Sequence, residues 1–296
     1  MLGAIIGDIA GSRYEFNSTN DYHFEMFSQE NGYTDDTICT VAVADAILKG
    51  RDYGESIHEW CRRYPHPMGS YGGRFSMWVH SDNPQPYGSY GNGSAMRVSP
   101  VAWHFNDRDE VLEQARLTAA CTHNHPEGIK GAQTVALAIH IARRYREEQL
   151  AEQQLIQNIL KECVRFSGYD IALRKEQVQN RFDETCQGTV PVALWIIGQS
   201  NSFEDAIRRA VCLGADADTL GAIVGSIAEA IWPIPEEMKQ AAMSYLPEDM
   251  KEVIKNSLSS WCFQRKTLNL QAESAKSESI LSFVNVLSTK KPCHNV

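Results

Sequence analysis

Two short clusters of aspartate and threonine place the strongest constraint on the fold of this chain. One is Thr34-Asp35-Asp36-Thr37, and the other is Asp216-Ala217-Asp218-Thr219, about 180 residues later. Each cluster stands directly before an apolar stretch that predicts a helix, where free backbone N–H groups and the helix dipole favour carboxylates. A single aspartate at such a position indicates a helix cap. Two clusters of the same design indicate that the two helix starts meet around a shared cation.

The charged and hydroxyl side chains of both clusters offer only oxygen atoms to a ligand. Oxygen ligands of this kind suit hard divalent cations such as Mg²⁺, Mn²⁺ or Ca²⁺, which lie about 2.0–2.6 Å from the oxygens that hold them. We therefore expect carboxylate oxygens of Asp36 and Asp218 to lie within reach of one cation. A separation beyond about 10 Å would contradict this interpretation.

The chain length and composition are compatible with one large helical domain. Of the 296 residues, 43% are hydrophobic, and no alternating strand pattern of convincing length occurs. We predict an all-α fold, a compact single domain of about ten helices over residues 1–263. The polar tail, residues 264–296, either docks on this domain or is partly disordered. Besides the helices at 1–11 and 37–49, helices are predicted near 55–63, 107–120, 127–146, 151–166, 187–199, 202–213, 218–231, 235–244 and 248–258.

Charge and cysteine content restrict the partners and the compartment. The net charge of −9 and the absence of any Lys/Arg run longer than a pair argue against nucleic acid and anionic membrane as partners. The eight cysteines form no C-x-x-C pair, so we expect free thiols in a reducing compartment. The apolar residues 1–10 lack a basic region and include Asp8, which is unlike a signal peptide or a membrane span. The expected protein is a cytoplasmic monomer.

Glycine residues at four-residue spacing mark two of the predicted helices. Gly3, Gly7 and Gly11 line one face of the first helix, and Gly221 and Gly225 line one face of the helix after the second cluster. Each glycine lowers helix stability by about 1 kcal/mol relative to alanine. Close approach of another backbone would explain this choice, although the sequence does not tell which helices pair.

A stretch rich in glycine, proline, serine and asparagine, residues 65–100, predicts a long loop. Loops of this length inside a compact domain are usually functional. Closely spaced glycines expose backbone N–H groups, as phosphate-binding loops require. Tyr87 and Tyr90 favour a planar ligand, with an ordinary surface loop as the alternative.

Two histidines, His123 and His125, lie between two predicted helices. Capping, ligand-binding and catalytic roles are all compatible with this position. The chain contains no G-x-S-x-G, P-loop or H-E-x-x-H motif, which disfavours acyl transfer, P-loop NTPase and zinc-protease chemistry.

Four segments of the chain, taken in order, carry a family resemblance: Gly7–Glu15, Thr34–Thr37, Gly88–Arg97 and Asp216–Thr219. They resemble the ADP-ribosylglycohydrolases of the dinitrogenase-reductase-activating type, and the resemblance spans about residues 1–260. The two Asp/Thr motifs together are specific, and the glycine-rich motif between them argues against coincidence. Ala215, where many members have a second glycine, is a mild departure.

The resemblance implies an all-α fold with two Mg²⁺ or Mn²⁺ ions in a cleft. By matching position, the residues that would hold the ions are Thr34, Asp35, Asp36, Asp216, Asp218 and Thr219. The diphosphate and adenosine parts of ADP-ribose would contact Gly88, Ser89, Tyr90, Asn92 and Gly93. His123 would be a further ligand contact, with His125 as its alternative. Glu15 would lie on a flexible loop beside the ions, and the residues implied in catalysis are Glu15, Asp35 and Asp36.

The predicted activity is metal-dependent hydrolysis of the glycosidic bond that joins ADP-ribose to a protein side chain, with arginine as the first choice. Such a bond at ribose C1 breaks through an oxocarbenium-like state. Two metal ions can fix the ribose hydroxyls and lower the pKa of a water, while Glu15 or a ligand aspartate accepts the proton. The expected partners are an ADP-ribosylated protein as substrate and ADP-ribose as product.

Three alternatives compete with this function. A small or differently linked ADP-ribose conjugate, such as an O-acyl ester or a serine or nucleic-acid linkage, is equally compatible with the motifs. An all-α isoprenoid synthase would need D-D-x-x-D spacing, but Cys39 stands at the position of the third aspartate. A non-catalytic ADP-ribose-binding relative would usually have lost ion ligands, and all six are present.

Overall fold

A computed structural model describes residues 1–261 of the chain. The described residues form helices joined by turns and irregular segments, with no sheet and one isolated bridge between Gly91 and Thr185. The prediction of an all-α fold is confirmed. The helices are α1 (Leu2–Gly11), α2 (Asp35–Lys49), α3 (Tyr53–Arg63), α4 (Gly73–His80), α5 (Gly93–Met96), α6 (Ser99–His104), α7 (Arg108–Ala120), α8 (Pro126–Glu147), α9 (Glu152–Ser167), α10 (Lys175–Val178), α11 (Cys186–Gln199), α12 (Phe203–Val211), α13 (Ala217–Ile231), α14 (Glu236–Ser244) and α15 (residues 248–261).

The chain separates into two compact units, Met1–Ile254 and Lys255–Val296. The first unit contains α1 to α14 and every residue that the sequence assigns to a site. Of the second unit only residues 255–261 are described, and they are helical. The predicted polar tail, residues 264–296, lies outside the described residues, and the domain boundary after residue 263 stays a prediction.

Both Asp/Thr clusters open buried helices, as the sequence predicts. The side chain of Thr34 caps α2 by accepting a hydrogen bond from the backbone N–H of Asp36 at 3.2 Å. Helix α2 ends before Gly50, whose φ of 61° is a left-handed conformation that glycine tolerates best. Asp216 occupies the N-cap position of α13, and Asp218 lies in its first turn. The positive ends of two helix dipoles therefore lie at the aspartate clusters.

The glycine faces of α1 and α13 pack directly against each other. Gly3 lies against Gly225 and Gly7 against Gly221, so the two helices run antiparallel. A Cβ atom added to Gly7 would lie 2.8 Å from the backbone nitrogen of Ala222 and closer still to the carbonyl of Gly221. The expected close approach is confirmed, and the structure supplies the pairing that the sequence left open. As a result, the C-terminal end of α1 lies beside the N-terminal end of α13.

The prediction of one uninterrupted loop over residues 65–100 is wrong. Helices α4 and α5 lie inside this stretch, and α6 begins at its end. In α4 the buried side chains of Phe75, Trp78 and Val79 are three and four residues apart and form an apolar stripe. The glycines and prolines on both sides of α4 concealed this short helical pattern.

The six cysteines within residues 1–261 are free thiols, as predicted. The sulfur atoms of Cys39 and Cys61 lie 3.8 Å apart in the core. Cys262 and Cys293 lie outside the described residues. In the described part of the chain, every helix is too short or too polar to cross a bilayer.

Candidate active site

Three buried carboxylates from three different helices meet at one point. Asp8 of α1, Asp36 of α2 and Asp218 of α13 place oxygen atoms within 4.8 Å of one another. The hydroxyl of Thr219 joins the two sequence clusters directly, because it donates to Asp36 Oδ2 at 3.2 Å. The expectation that the two Asp/Thr clusters meet in space is confirmed.

A second group of carboxylates adjoins the first. Glu15, Asp216 and Asp218 also place oxygen atoms within 4.8 Å of one another, so Asp218 is common to both groups. Glu15 reaches this point because α1 ends beside the start of α13 and a single 3-10 turn, Ser12–Tyr14, follows it. Asp35 is half-buried and lines the adjoining cleft. We call the following six side chains the acidic cluster: Asp8, Glu15, Asp35, Asp36, Asp216 and Asp218.

Sequence reasoning missed the role of Asp8, which binds the start of α2 to α1. Its carboxylate accepts hydrogen bonds from the backbone N–H and the hydroxyl of both Thr34 and Thr37, at 2.5–3.1 Å. The sequence feature that could have revealed it is that Asp8 is the one charged residue of α1. The rest of this helix is apolar, and all of it is buried. Because a buried carboxylate without partners is strongly disfavoured, such a residue must be held by other polar groups.

Burial and mutual repulsion raise the pKa values of the acidic cluster. Removal from water is the largest cause, and for most members the neighbouring carboxylates add to it. The pKa of Asp8 is raised to about 6, that of Glu15 to about 7 and that of Asp35 to about 8. The pKa values of Asp36 and Asp218 are raised well above the usual range of an aspartate. Within residues 1–261, no lysine or arginine forms an ion pair with the cluster.

The acidic cluster fits a hard divalent cation. All of its donors are oxygen atoms, which such cations prefer. Two of its buried atoms, Asp36 Oδ1 and Glu15 Oε2, have no hydrogen-bond partner among the described residues. A cation would coordinate these oxygens and relieve the repulsion between the carboxylates. Gly69 leaves room for Glu15, because a Cβ atom at that position would collide with its carboxylate.

A cleft of ≈ 390 Å³ opens beside the acidic cluster. Thr34 and Asp36 are buried and do not line it, and neither do Gly88 and Tyr90. The side chain of Tyr90 is 45% exposed, and its ring lies 5.1 Å from that of His125. The sequence-predicted residues that do line the cleft are Glu15, Asp35, Ser89, Asn92, Gly93, His123, Asp216, Asp218 and Thr219.

The cleft also contains a basic group, Arg74 and Arg97, to which sequence reasoning assigned no role. Arg74 donates to the backbone carbonyl of Tyr87, and its guanidinium lies 4.9 Å from the centre of the Tyr87 ring. Arg97 is buried and donates to the carbonyl of Thr118 at 2.9 Å and to the hydroxyl of Thr122 at 2.7 Å. An anionic ligand in the cleft would therefore meet two positive charges.

The two histidines that the sequence left open have different positions. His123 is buried and lines the cleft, with Nδ1 2.7 Å from the hydroxyl of Thr122. Burial, with Arg97 and Arg74 nearby, lowers its pKa well below the usual range, so its ring is neutral. His125 instead caps α8.

Asn92 connects the glycine-rich segment to the acidic cluster. Its side-chain amide donates to Asp216 Oδ2 at 2.7 Å and to the hydroxyl of Thr189 at 3.1 Å. Its backbone N–H donates to the carbonyl of Glu184 at 2.6 Å. Asn92, whose side chain the resemblance assigns to substrate contact, thus orients the carboxylate of Asp216.

Comparison with known proteins gives one consistent result. The model of the ADP-ribosylglycohydrolase family matches residues 1–268. The ADP-ribosylhydrolase ARH3 of Mus musculus is 25% identical over 325 aligned positions, which cover 84% of this chain and 88% of that protein. The ADP-ribosylarginine hydrolase Tri1 of Pseudomonas putida (strain GB-1) is 25% identical over 276 positions, which cover 82% of this chain and 73% of that protein.

Solved structures share the same fold. The "ADP-ribosylglycohydrolase-related protein complex" superposes with a TM-score of 0.64 at 22% sequence identity. The superposition covers 88% of this chain and 96% of that chain. The helical arrangement described above is therefore that of the solved protein.

Proposed function

Because the chain belongs to the ADP-ribosylglycohydrolase family, we propose that it is a metal-dependent hydrolase that releases ADP-ribose from a modified arginine side chain of a protein. The observation that carries this proposal is the pair of adjoining carboxylate groups that share Asp218 at a cleft. Carboxylates, and cations held by them, suit the hydroxyl groups of a sugar and not an apolar ligand. The basic group of the same cleft suits the diphosphate.

The holders that we propose for two Mg²⁺ or Mn²⁺ ions are Thr34, Asp35, Asp36, Asp216, Asp218 and Thr219. Asp8 is fully engaged by Thr34 and Thr37, so its task is to position the start of α2. When bound, the ions would screen the carboxylates and supply positive charge that polarises the ribose hydroxyls and a water. The unpartnered atom Asp36 Oδ1 supports this assignment.

Glu15 is the general base that we propose. Its Oε2 atom is free of hydrogen-bond partners among the described residues, and its side chain lines the cleft. In the metal-free protein, burial and the nearby Asp216 and Asp8 raise its pKa to about 7. Oε2 accepts a proton from the attacking water as its oxygen bonds to ribose C1. The bond from C1 to the guanidine nitrogen breaks, and its electron pair stays on the nitrogen. The proton that Oε2 took from the water then moves to that nitrogen.

The remaining candidate residues are assigned to the ADP-ribose part of the substrate. We place the diphosphate along the glycine-rich segment and beside Arg74, where backbone N–H groups and a guanidinium can bind its oxygens. The adenine would lie against the exposed ring of Tyr90. The proposed contacts are Gly88, Ser89, Tyr90, Gly93 and His123, while Asn92 acts through Asp216.

Arginine is the leaving group that we favour. The relative from Pseudomonas putida is named as an ADP-ribosylarginine hydrolase, and the acidic side of the cleft is complementary to a cationic guanidinium. Serine-linked, O-acyl-linked and nucleic-acid-linked ADP-ribose remain the competing substrates for the same reaction.

A release assay on these four kinds of conjugate tests the proposal. With Mg²⁺ or Mn²⁺ present, we expect free ADP-ribose from the arginine-linked conjugate at a higher kcat/KM than from the others, and none in excess EDTA. Full activity in EDTA would refute the metal-dependent reaction. Release from the other conjugates alone would refute the choice of arginine.

A further inference from the structure

Two exposed aromatic rings stand at the rim of the cleft beside the acidic cluster. Phe16, which follows Glu15 directly and lines the cleft, is 75% exposed. Phe182 is 48% exposed, and its ring stacks on that of Phe16 with centroids 6.2 Å apart and planes at 29°. Large apolar rings exposed together at the mouth of a cleft mark a surface that a ligand covers.

An exposed carboxylate stands on the same rim, two residues after Phe182. Glu184 lines the cleft, and its side chain has no hydrogen bond or ion pair with any other described residue. Its charge contributes to raising the pKa of Glu15 and of Asp216, so it lies near two groups of the same sign. A positive group is therefore the partner that this carboxylate lacks.

The backbone holds Glu184 at this position. The carbonyl of Glu184 accepts from the N–H of Asn92 at 2.6 Å, and the N–H of Cys186 donates to the carbonyl of Tyr90 at 2.9 Å. These bonds fix residues 184–186 alongside the glycine-rich segment, and Asn92 also holds Asp216 of the acidic cluster. The backbone at Glu184 is thus connected to the acidic cluster through one residue, Asn92.

We propose that Phe16, Phe182 and Glu184 form a leaving-group subsite that receives the guanidinium of the ADP-ribosylated arginine. This inference rests on the proposed function and names the residues that select among its substrates. A carboxylate binds the fork of a guanidinium, and an aromatic face packs against its planar cation. A serine hydroxyl or an acyl oxygen carries no charge and gains neither interaction. Arg74 would attract the diphosphate and Glu184 would attract the guanidinium, so these two charges would orient the substrate in the cleft.

The test compares two substrates that differ only in the leaving group: one peptide ADP-ribosylated on arginine and its counterpart ADP-ribosylated on serine. For Glu184→Gln, we expect kcat/KM for the arginine-linked peptide to fall about tenfold, mainly through KM, because the guanidinium is charged both before and during the reaction. The serine-linked peptide should change less than about twofold. Phe182→Leu keeps an apolar side chain and removes the ring, so we expect an arginine-specific loss of about two- to fivefold.

A matched control and a second readout complete the design. Glu176→Gln removes an exposed charge from α10, outside the cleft, and should leave both substrates unchanged. Agmatine, which presents the guanidinium alone, should inhibit the wild-type enzyme about tenfold more strongly than it inhibits Glu184→Gln. This inhibition reports on the subsite even if the serine-linked peptide is a poor substrate.

The outcomes separate this inference from the proposed function. A wild-type enzyme that releases ADP-ribose from neither peptide overturns both. A wild-type enzyme that cleaves the arginine-linked peptide, combined with a Glu184→Gln variant that is unchanged or equally impaired on both peptides, overturns the subsite and leaves the function standing. Equal inhibition of the two enzymes by agmatine also overturns the subsite.

Discussion

Gly7→Ala is the substitution for which the structure gives the clearest energetic expectation. The new Cβ atom would lie 2.8 Å from the backbone nitrogen of Ala222 and closer to the carbonyl of Gly221, whereas such atoms normally lie about 3.5–4.0 Å apart. Since main-chain atoms lie on both sides, neither helix can avoid the overlap by a rotamer change. The helices α1 and α13 must separate.

The magnitude follows from two opposing terms. Overpacking a close-packed core costs about 1–3 kcal/mol and occasionally more, and a clash between two backbones belongs at or above the upper end. Replacing glycine by alanine within a helix returns about 1 kcal/mol. We therefore expect a net loss of about 2–3 kcal/mol in the free energy of unfolding, or a fall in Tm of about 4–12 °C for a chain of this size.

The same displacement should weaken metal binding. Asp8 follows Gly7 directly on α1 and holds the start of α2, with Asp36, through Thr34 and Thr37. Asp218 lies one turn before Gly221 on α13, so separating α1 from α13 also moves Asp36 away from Asp218. Addition of Mn²⁺ should consequently raise the Tm of Gly7→Ala by less than it raises the Tm of the wild type.

Thermal unfolding followed by circular dichroism, with and without Mn²⁺, measures both effects. Gly73→Ala is the matched control, because a Cβ atom at that helical position meets nothing within 4 Å. The control should melt at or slightly above the wild-type temperature. If Gly7→Ala melts within about 2 °C of the wild type, the close packing of α1 on α13 is not a determinant of stability, and the reasoning fails.

Three further substitutions and one pH experiment test the site itself. Asp218→Asn should abolish turnover and the thermal stabilisation by Mn²⁺. The metal-free variant should melt no lower than the wild type, because one repelling carboxylate is gone. If Mn²⁺ still raised the Tm of the variant, Asp218 would not be an ion ligand. Tyr90→Ala should weaken ADP-ribose binding by about 1–3 kcal/mol with little change in Tm, and unchanged affinity by calorimetry would remove Tyr90 from the adenine site. Glu15→Gln should lower kcat by about 10²–10⁴ with metal content retained, and a near-normal kcat would exclude proton transfer by this residue. In EDTA, the folded protein has pKa values of about 6 for Asp8, 7 for Glu15 and 8 for Asp35, all above the values of the unfolded chain. The folded state therefore binds these protons more tightly, and the stability that they contribute is lost as pH rises through this range. Denaturant titrations at pH 5.5 and 8.5, chosen to span about this range, should show the loss, and excess Mg²⁺ should reduce it; a metal-free protein that is more stable at the higher pH would contradict the assignment.

The sequence predicts those parts of the site that depend on local composition. The paired clusters at 34–37 and 216–219 identified the helix starts, because Asp and Thr at such positions satisfy free N–H groups whatever the tertiary fold. The glycines of α1 and α13 likewise indicated close packing, because a helix that keeps glycine at regular spacing loses stability unless another backbone packs against that face. Pairing the two helices required coordinates, since several buried helices of the chain offered small faces.

Features that depend on tertiary contacts were not accessible in the same way. Asp8 needs its hydroxyl partners on α2 before its role is visible, and those partners lie 26 and 29 residues away. The orientation of Asn92 toward Asp216 depends on a separation of 124 residues. Helix α4 was hidden because its eight residues provide only about two turns of periodicity between glycine-rich flanks.

The acidic cluster opposes folding, and the packing of α1 on α13 explains how the chain tolerates it. Buried carboxylates with raised pKa values favour separation of α1, α2 and α13 when no cation is present. The dipoles of α2 and α13 offset part of this repulsion, since both helices begin at the cluster. Close-packed contacts must resist the rest of the repulsion. The backbone contact between Gly7 and Gly221 is of that kind, because main-chain atoms cannot change rotamer. A rigid frame keeps the carboxylates close in the absence of ions, so that a cation gains their full attraction without first having to assemble its own site.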